Sequence, residues 1–157
     1  PDEDMQAEFY LFAVDYLKSL GYEQYEISNF AKNGFESKHN INYWKCGEYI
    51  GIGPSAHSFF KGKRFFYGRS FSDFEKNTTT FDCDGGNEEE FIMLSLRLKS
   101  GLVFEEYKEK FRHSVSLHLL RKIHRYADAG FMEIDSQRAF FTPKGFLVSN
   151  TIISDLI

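Results

Sequence analysis

Apolar residues in the first twenty positions recur at the spacing of one helical face. The recurrence, at intervals of i, i+3, i+4 and i+7, involves Phe9, Phe12, Ala13, Tyr16, Leu17 and Leu20. An acidic first turn precedes this face and Gly21 follows it, as at the two ends of many helices. The pattern predicts an amphipathic helix and, after a tight turn, a strand over residues 25–30. Helix, turn and strand in this order are typical of α/β units with parallel strands.

Shorter β-forming runs follow in the middle of the chain. Residues 49–52 are predicted to form a second strand that enters a Gly-Pro-Ser turn. Residues 58–69 are predicted to form a hairpin, because aromatic runs flank Lys61-Gly62-Lys63. A short helix is predicted at residues 72–76.

The polar stretch at residues 77–87 contains glycines and lacks periodicity, which predicts a boundary between two modules, residues 1–80 and 81–157. The first module is predicted to be α/β and the second α+β. The second module's predicted elements are helices after Asn87, at residues 104–111 and after Ser116, a hairpin of residues 131–134 and 139–142, and a last helix from Thr142-Pro143. This order predicts a small winged-helix-like helical domain.

Composition restricts the class of protein. The chain has 157 residues, of which 42% are hydrophobic and 18% aromatic, enough to bury a core. No run approaches the roughly 20 apolar residues of a membrane span, and the first residues lack a signal-peptide pattern, which predicts a cytoplasmic location. The net charge of −4 argues against a protein that mainly binds a phosphate backbone. Cys46 and Cys83 lie far apart and outside any CxxC pattern, so neither a disulfide framework nor a cluster site is predicted.

His39, Asn40, Tyr43 and Trp44 form the first candidate site. On a short helix, His39 and Tyr43 would lie on one side, one turn apart. Imidazole is the usual protein ligand of haem iron, and the faces of Tyr and Trp could enclose a porphyrin ring. Spacing alone leaves open a second interpretation, in which the histidine only hydrogen-bonds to backbone.

Gly51, Ile52, Gly53 and Ala56 form the second candidate site, at the end of a predicted strand. Small residues there let the backbone approach a nucleotide-like ligand closely. The spacing is not that of the GxGxxG fingerprint, and a plain tight turn explains it equally well. His57 beside this turn is expected to be structural.

Two groups of basic residues suggest further functions. Lys61, Lys63, Arg64 and Arg69 alternate with aromatic residues and could pair with carboxylates or phosphates. Arg121, Lys122, His124 and Arg125 lie on the helix after Ser116, where a DNA-binding winged module has its recognition helix. From residue 101 onward the sequence has eight Lys and Arg and seven Asp and Glu. This near balance of charge favours a solvated helix face over nucleic-acid binding.

Three motifs together resemble a known family. YEISNFA, HNINYW and GIGPSAHS occur in the order found in radical-SAM proteins of the anaerobic coproporphyrinogen oxidase and haem chaperone group. The resemblance continues through EEFIMLSLRLKSGL and FFTPKGFLVSNTIISDLI, and so covers essentially the whole chain. It implies the C-terminal strands and helices of a partial (β/α) radical-SAM barrel, followed by the winged-helix-like domain. Because the chain begins with Pro1 on an acidic turn, we expect it to be a C-terminal segment of a longer protein.

The resemblance also implies ligands and residue roles. HNxxYW marks the HemW-like haem chaperones, which makes His39, Asn40, Tyr43 and Trp44 the expected haem-binding residues, with His39 as axial ligand. Gly51, Ile52, Gly53 and Ala56 match a strand end that lies against S-adenosylmethionine in relatives. The family's [4Fe-4S] cluster is bound by a CxxxCxxC motif near the N-terminus, which this sequence lacks, so the chain is expected to be inactive alone.

The resemblance further implies that the longer protein binds haem or a porphyrin and transfers haem to an acceptor protein, with peripheral association with membrane-bound acceptors. Two alternatives stay open at this point. One is an oxygen-independent coproporphyrinogen III oxidase, in which Arg64 or Arg69 would pair with substrate carboxylates. The other is a winged-helix module that binds nucleic acid.

Overall fold

The computed structural model describes residues 2–157 as eight helices and eight short strands in three sheets. The first elements are α1 (Glu3–Ser19), β1 (Glu23–Gln24), β2 (Phe30–Ala31), α2 (Lys38–Trp44), β3 (His57–Phe60), β4 (Lys63–Tyr67), α3 (Phe71–Glu75) and β5 (Thr79–Asp84). They are followed by α4 (Glu88–Ser95), β6 (Leu102–Val103), α5 (Phe104–Phe111), α6 (Leu117–Asp128), β7 (Met132–Ile134), β8 (Arg138–Phe141), α7 (Pro143–Leu147) and α8 (Ser149–Leu156). The predicted mixture of helices and sheets is present.

The first helix is confirmed, but its apolar face is not buried. The Asp2 carboxylate caps α1 by accepting a hydrogen bond from the Met5 amide at 2.8 Å. Phe9, Phe12 and Tyr16 are 60%, 67% and 54% exposed. Phe12 stacks on Tyr16 with ring centroids 5.7 Å apart. The face that the pattern marks as apolar is therefore an aromatic surface open to solvent.

The strand predicted over residues 25–30 is wrong, and so is its parallel pairing. β1 and β2 pair antiparallel around a turn, in which the Tyr25 amide donates to the Asn29 carbonyl at 3.2 Å. The turn bonds to the segment after α4, where the Ile27 amide donates to the Arg97 carbonyl at 2.8 Å. Every ladder among residues 2–157 is antiparallel. A local pattern cannot reveal a partner so far along the chain.

The predicted hairpin is confirmed as β3 and β4, and a third strand extends its sheet. Residues 77–87, predicted to be an aperiodic linker, contain β5, which pairs with β4 so that Phe81 lies opposite Phe65. All residues of β5 are exposed, as expected for an edge strand. The strand predicted at residues 49–52 is reduced to one antiparallel bridge between Tyr49 and Phe59.

The C-terminal helices begin where the sequence predicts. The caps are Asn87, Ser116 and Thr142, and each accepts a hydrogen bond from the amide three residues further on. β7 and β8 form the predicted hairpin, and β6 joins it in the order β6-β8-β7. The last predicted helix is split into α7 and α8 at Val148, whose φ of −115° departs from helical geometry.

One buried cluster of the described residues spans the boundary predicted at residue 80. Its fully buried members include Leu96, Leu102, Ile123, Ala139 and Phe141. Cys46 and Phe59, from the first half of the chain, belong to the same cluster. The segment that follows α2 and the β3-β4 hairpin therefore pack on the C-terminal helices. Within residues 2–157, no helix has the length and apolar character needed to cross a bilayer.

Candidate functional site

The short helix α2 carries the predicted cluster of His39, Asn40, Tyr43 and Trp44. Ser37 starts the helix, because its hydroxyl accepts a hydrogen bond from the Asn40 amide at 3.3 Å. His39 and Tyr43 are one turn apart, and their rings meet edge to face with centroids 4.6 Å apart. The His39 side chain is exposed, so a ligand can reach its imidazole.

Tyr43 is supported on its other side by Tyr49. The two rings meet edge to face with centroids 4.4 Å apart. The side-chain amide of Asn42 donates to the Glu48 carbonyl at 3.1 Å and closes the turn between Tyr43 and Tyr49. His39, Tyr43 and Tyr49 thus form a row of three rings, the aromatic ladder, which leads from the surface toward β3.

An ion pair between β4 and α4 holds the inner end of the aromatic ladder. Arg64 Nη1 donates to the Tyr49 hydroxyl at 3.3 Å, and Arg64 Nε donates to Glu90 Oε1 at 2.9 Å. Burial opposes the charge of the guanidinium, but the Glu90 carboxylate holds the pKa of Arg64 above its ordinary value. The structure does not favour Arg64 as a partner of substrate carboxylates, because Glu90 already occupies it. Arg69 is exposed.

Trp44 lies against the segment that follows α4. The Arg97 guanidinium lies over the indole, 5.6 Å from the ring centroid, and donates to Asn150 Oδ1 of α8 at 3.1 Å. The indole nitrogen is buried and has no hydrogen-bond partner among the described residues. With Arg97 over one face of its ring, Trp44 offers a porphyrin less surface than the sequence suggests.

The loop at residues 51–56 begins two residues after Tyr49. Gly51 is required by packing, because a Cβ there would lie 2.2 Å from the His57 carbonyl oxygen. Its amide donates to the buried Ser58 hydroxyl at 3.0 Å. The close contact inside the chain explains this glycine without a ligand.

The rest of that loop faces solvent. Gly53 has a φ of +116° and open space where a Cβ would lie, and Ile52 is 83% exposed. The Ala56 amide donates to the Gly53 carbonyl at 3.1 Å and closes the turn. His57 stacks on Phe66 with centroids 5.1 Å apart. The loop presents backbone and one apolar side chain next to the element that carries Tyr49.

Basic residues of α6 are engaged within the chain. The Lys122 ammonium donates to the Asp155 carbonyl, and Arg125 Nη2 lies 2.6 Å from Asp155 Oδ2. Two of the four basic residues that suggested a recognition helix therefore hold α8 in place. The arrangement gives them a structural role.

Comparisons with known proteins agree with the motifs. A family model, the HemN C-terminal domain, matches residues 89–148. The heme chaperone HemW of Lactococcus lactis subsp. lactis is 33% identical over 164 residues, which cover 100% of this chain and 43% of that protein. The chain belongs to the HemN/HemW-like radical-SAM proteins.

Other relatives of this HemN/HemW-like chain support the assignment. The heme chaperone HemW of Bacillus subtilis is 29% identical over 166 residues, 97% of this chain and 42% of that protein. The mitochondrial radical S-adenosyl methionine domain-containing protein 1 of Mus musculus is 53% identical over 60 residues, 38% of this chain and 14% of that protein. The chain spans less than half the length of these curated relatives.

A solved structure shares the fold. The coproporphyrinogen III oxidase HemN of Escherichia coli, described as a radical SAM enzyme, superposes with a TM-score of 0.70 over 99% of this chain and 42% of that chain. The two sequences are 15% identical. The likeness shows that the mixed arrangement of helices and sheets is that of HemN.

The described residues of this HemN/HemW-like chain do not fit an iron-sulfur cluster. Residues 2–157 contain no group of three or more His, Cys, Asp or Glu side chains placed to hold a metal ion. Cys46 is buried, which raises the pKa of its thiol, and Cys83 is exposed on β5. Clusters are held by several thiolates, which these two isolated cysteines cannot supply.

Sequence reasoning missed the residues that support the site. Glu90 lies in the helix predicted after Asn87 and Tyr49 in the strand predicted at residues 49–52, and neither was predicted to belong to the site. Glu26, inside YEISNFA, is 1% exposed and its carboxylate accepts a hydrogen bond from the Asn29 side chain. A charged residue within a β-forming run was the signal that could have marked Glu26 as a buried structural carboxylate.

Proposed function

We propose that the protein carrying this chain binds haem at α2 and passes it to an acceptor protein. The observation that carries the proposal is the exposed imidazole of His39, held edge to face by Tyr43 on a capped helix. Imidazole is the common axial ligand of haem iron. In addition, the relatives that align with the whole chain are named heme chaperones.

The neighbouring residues are assigned complementary roles. Tyr43 orients the His39 ring and offers an aromatic edge to the porphyrin. Asn40 is half-buried on the next position of the helix and can hydrogen-bond at the porphyrin periphery. Trp44, beneath Arg97, fixes α2 against the C-terminal helices.

Haem titration tests the proposal. Haemin is added to the intact protein that carries this chain and to its His39→Ala variant, and the Soret band is followed at equilibrium. His124→Ala removes another exposed histidine, on α6, and is the matched control. We expect His39→Ala to weaken binding and shift the band, whereas His124→Ala leaves both unchanged. Equal affinity and an equal band in all three proteins would contradict the proposal.

Cofactor contacts belong to the same proposal. The loop of Gly51, Ile52, Gly53 and Ala56 would form one side of an S-adenosylmethionine site, and the open space beside the Gly53 backbone supports this. The ligands of the [4Fe-4S] cluster would come from a part of the protein outside this sequence. The division into a barrel part at residues 1–80 and a winged-helix-like domain at 81–157 is likewise proposed. The strand order β6-β8-β7 beside α4, α5 and α6 supports the second part, whereas β5 crosses the boundary at residue 80.

An activity assay separates haem transfer from coproporphyrinogen oxidation. Under anaerobic conditions, the intact protein with its cluster and S-adenosylmethionine is given coproporphyrinogen III. We expect no catalytic turnover, partly because the half-buried Arg64 is paired with Glu90. Protoporphyrinogen formation over many turnovers would favour the oxidase instead.

A further inference from the structure

A small groove lies at the β1-β2 hairpin and the loop that follows β2. It has a volume of about 330 Å³ and is lined by Tyr22, Phe30, Ala31, Lys32 and Phe35, and we refer to it as the aromatic groove. The Phe35 amide donates to the Lys32 carbonyl at 2.9 Å, so a tight turn of the backbone joins these two residues of the lining. The groove belongs to none of the sites described above.

The lining of the aromatic groove combines exposed rings with a cation. Phe35 is 82% exposed and Tyr22 is 39% exposed. The Lys32 ammonium lies 5.3 Å from the centroid of the Tyr22 ring. Nearby, the Glu36 carboxylate accepts a hydrogen bond from the Gly34 amide at 3.1 Å and so is engaged by the loop. Exposed aromatic side chains that line one groove make it a candidate surface for a ligand.

The aromatic groove is connected to the candidate haem site through the chain. Phe35 precedes His39 by four residues, which limits the distance between their Cα atoms to about 14 Å. Ser37 lies between them and caps α2, so the connection is ordered. Arg97 covers one face of Trp44, so α2 itself offers a flat ligand less aromatic surface, and Phe35 is a further exposed ring four residues before His39.

We propose that the aromatic groove is a porphyrin subsite, in which Phe35 and Tyr22 contact one edge of the haem ring and Lys32 pairs with a propionate. The inference rests on the proposed haem binding at His39. Haem is a flat apolar ring with two carboxylates at one edge. Exposed rings beside one ammonium group complement that chemistry, since aromatic faces pack on the ring and a cation pairs with a carboxylate.

Site-directed variants of the intact protein test this subsite, with haemin as the probe. Phe35→Ala removes the exposed ring, Lys32→Met removes the charge, and Lys32→Arg keeps it. Phe71→Ala is a matched control because Phe71 is 75% exposed. Lys110→Met is the second control, since the exposed Lys110 ammonium also lies over an aromatic ring, 5.7 Å from the centroid of Phe91.

We expect Phe35→Ala to weaken haemin binding roughly 10-fold. Lys32→Met should weaken it roughly 3-fold, whereas Lys32→Arg and both controls bind like the unmodified protein. Haemin dimethyl ester lacks the propionate charges, so the unmodified protein and Lys32→Met should bind the ester equally. A loss in Lys32→Met that persists with the ester overturns the pairing with propionate.

The remaining outcomes separate the subsite from the proposed function. If Phe35→Ala and Lys32→Met bind haemin normally while His39→Ala does not, the subsite is refuted and haem binding at His39 stands. If Phe35→Ala lowers the thermal stability but not the affinity, another part of the protein covers the groove and the subsite is refuted. If the unmodified protein binds no haemin, both proposals fail.

Discussion

Replacing Glu90 by Gln should destabilise the protein, because Glu90 is the half-buried partner of Arg64. The substitution keeps the size of the side chain but removes the negative charge that faces Arg64. It also weakens the acceptor that binds the Gly86 amide through Oε2. The two partners of the pair are 22% and 17% exposed, so water replaces the lost contact only in part.

The magnitude follows from this burial. Breaking a fully buried pair costs about 3–5 kcal/mol, because an uncompensated charge remains. With about a fifth of each side chain still in contact with water, we expect the free energy of unfolding to fall by about 2 kcal/mol. Replacing both partners, with Arg64→Met and Glu90→Gln together, should recover most of that loss, since no unpaired charge is left and the side chain at position 90 keeps an acceptor for the Gly86 amide.

Urea denaturation of the intact protein, followed by circular dichroism, measures the effect. Glu89→Gln is the matched control, because it removes the same charge from an exposed neighbour on α4. We expect that control to change the stability by less than about 0.5 kcal/mol. A Glu90→Gln variant as stable as the control would refute the reasoning, and so would a double variant less stable than Glu90→Gln.

Three further changes are expected to have measurable effects. Gly145→Ala should lower the free energy of unfolding by about 3 kcal/mol, since its Cβ would lie 1.9 Å from the Phe131 carbonyl oxygen. Ser37→Ala should remove the α2 cap, which costs about 1 kcal/mol locally and should weaken haemin binding in titrations. The Ser114 carbonyl and the Glu88 carboxylate raise the pKa of His113. The protonated His113 therefore stabilises the folded protein. This contribution to the free energy of unfolding is fully present below the unfolded pKa of about 6.5 and is lost as the pH rises through the folded pKa of His113.

A different result would contradict each of these three predictions. Gly145→Ala melting like the unmodified protein would show that the backbone relaxes around the new methyl group. Unchanged haemin affinity in Ser37→Ala would separate the helix cap from the site. The pH effect is measured by urea denaturation across neutral pH, and His113→Gln should flatten the curve; an unchanged slope in that variant would rule out His113 as its source.

Local signals in the sequence predicted local structure well. Asn87, Ser116 and Thr142 cap helices as expected, because a cap depends only on residues within one turn. α5 occupies the predicted residues 104–111. The helical spacing of His39 and Tyr43 likewise predicted that their side chains lie on one side of α2, where their rings are in contact.

Pairing between distant segments could not be predicted in the same way. Residues 25–30 look like a strand, but they turn and bond to the segment after α4. β5 lies in a stretch that looks like a linker, because its Thr residues become a strand only beside β4. The apolar face of α1 shows the reverse limit, since helical periodicity identifies a face and does not show what covers it.

The candidate site also combines locally predictable residues with contacts between distant segments. The sequence indicated His39 and its helix, whereas the links from Tyr49 to Arg64 and from Arg64 to Glu90 join three separate elements. The aromatic groove also depends on tertiary structure, because the β1-β2 pairing brings Tyr22 close to Lys32.

The most direct test of haem ligation by His39 is electron paramagnetic resonance of the ferric haem complex of the intact protein. The unmodified protein should show the signature of an axial imidazole ligand. His39→Gly should lose that signature, and free imidazole added to the variant should restore it. An identical spectrum in the unmodified protein and in His39→Gly, without added imidazole, would contradict the assignment of His39 as the haem ligand.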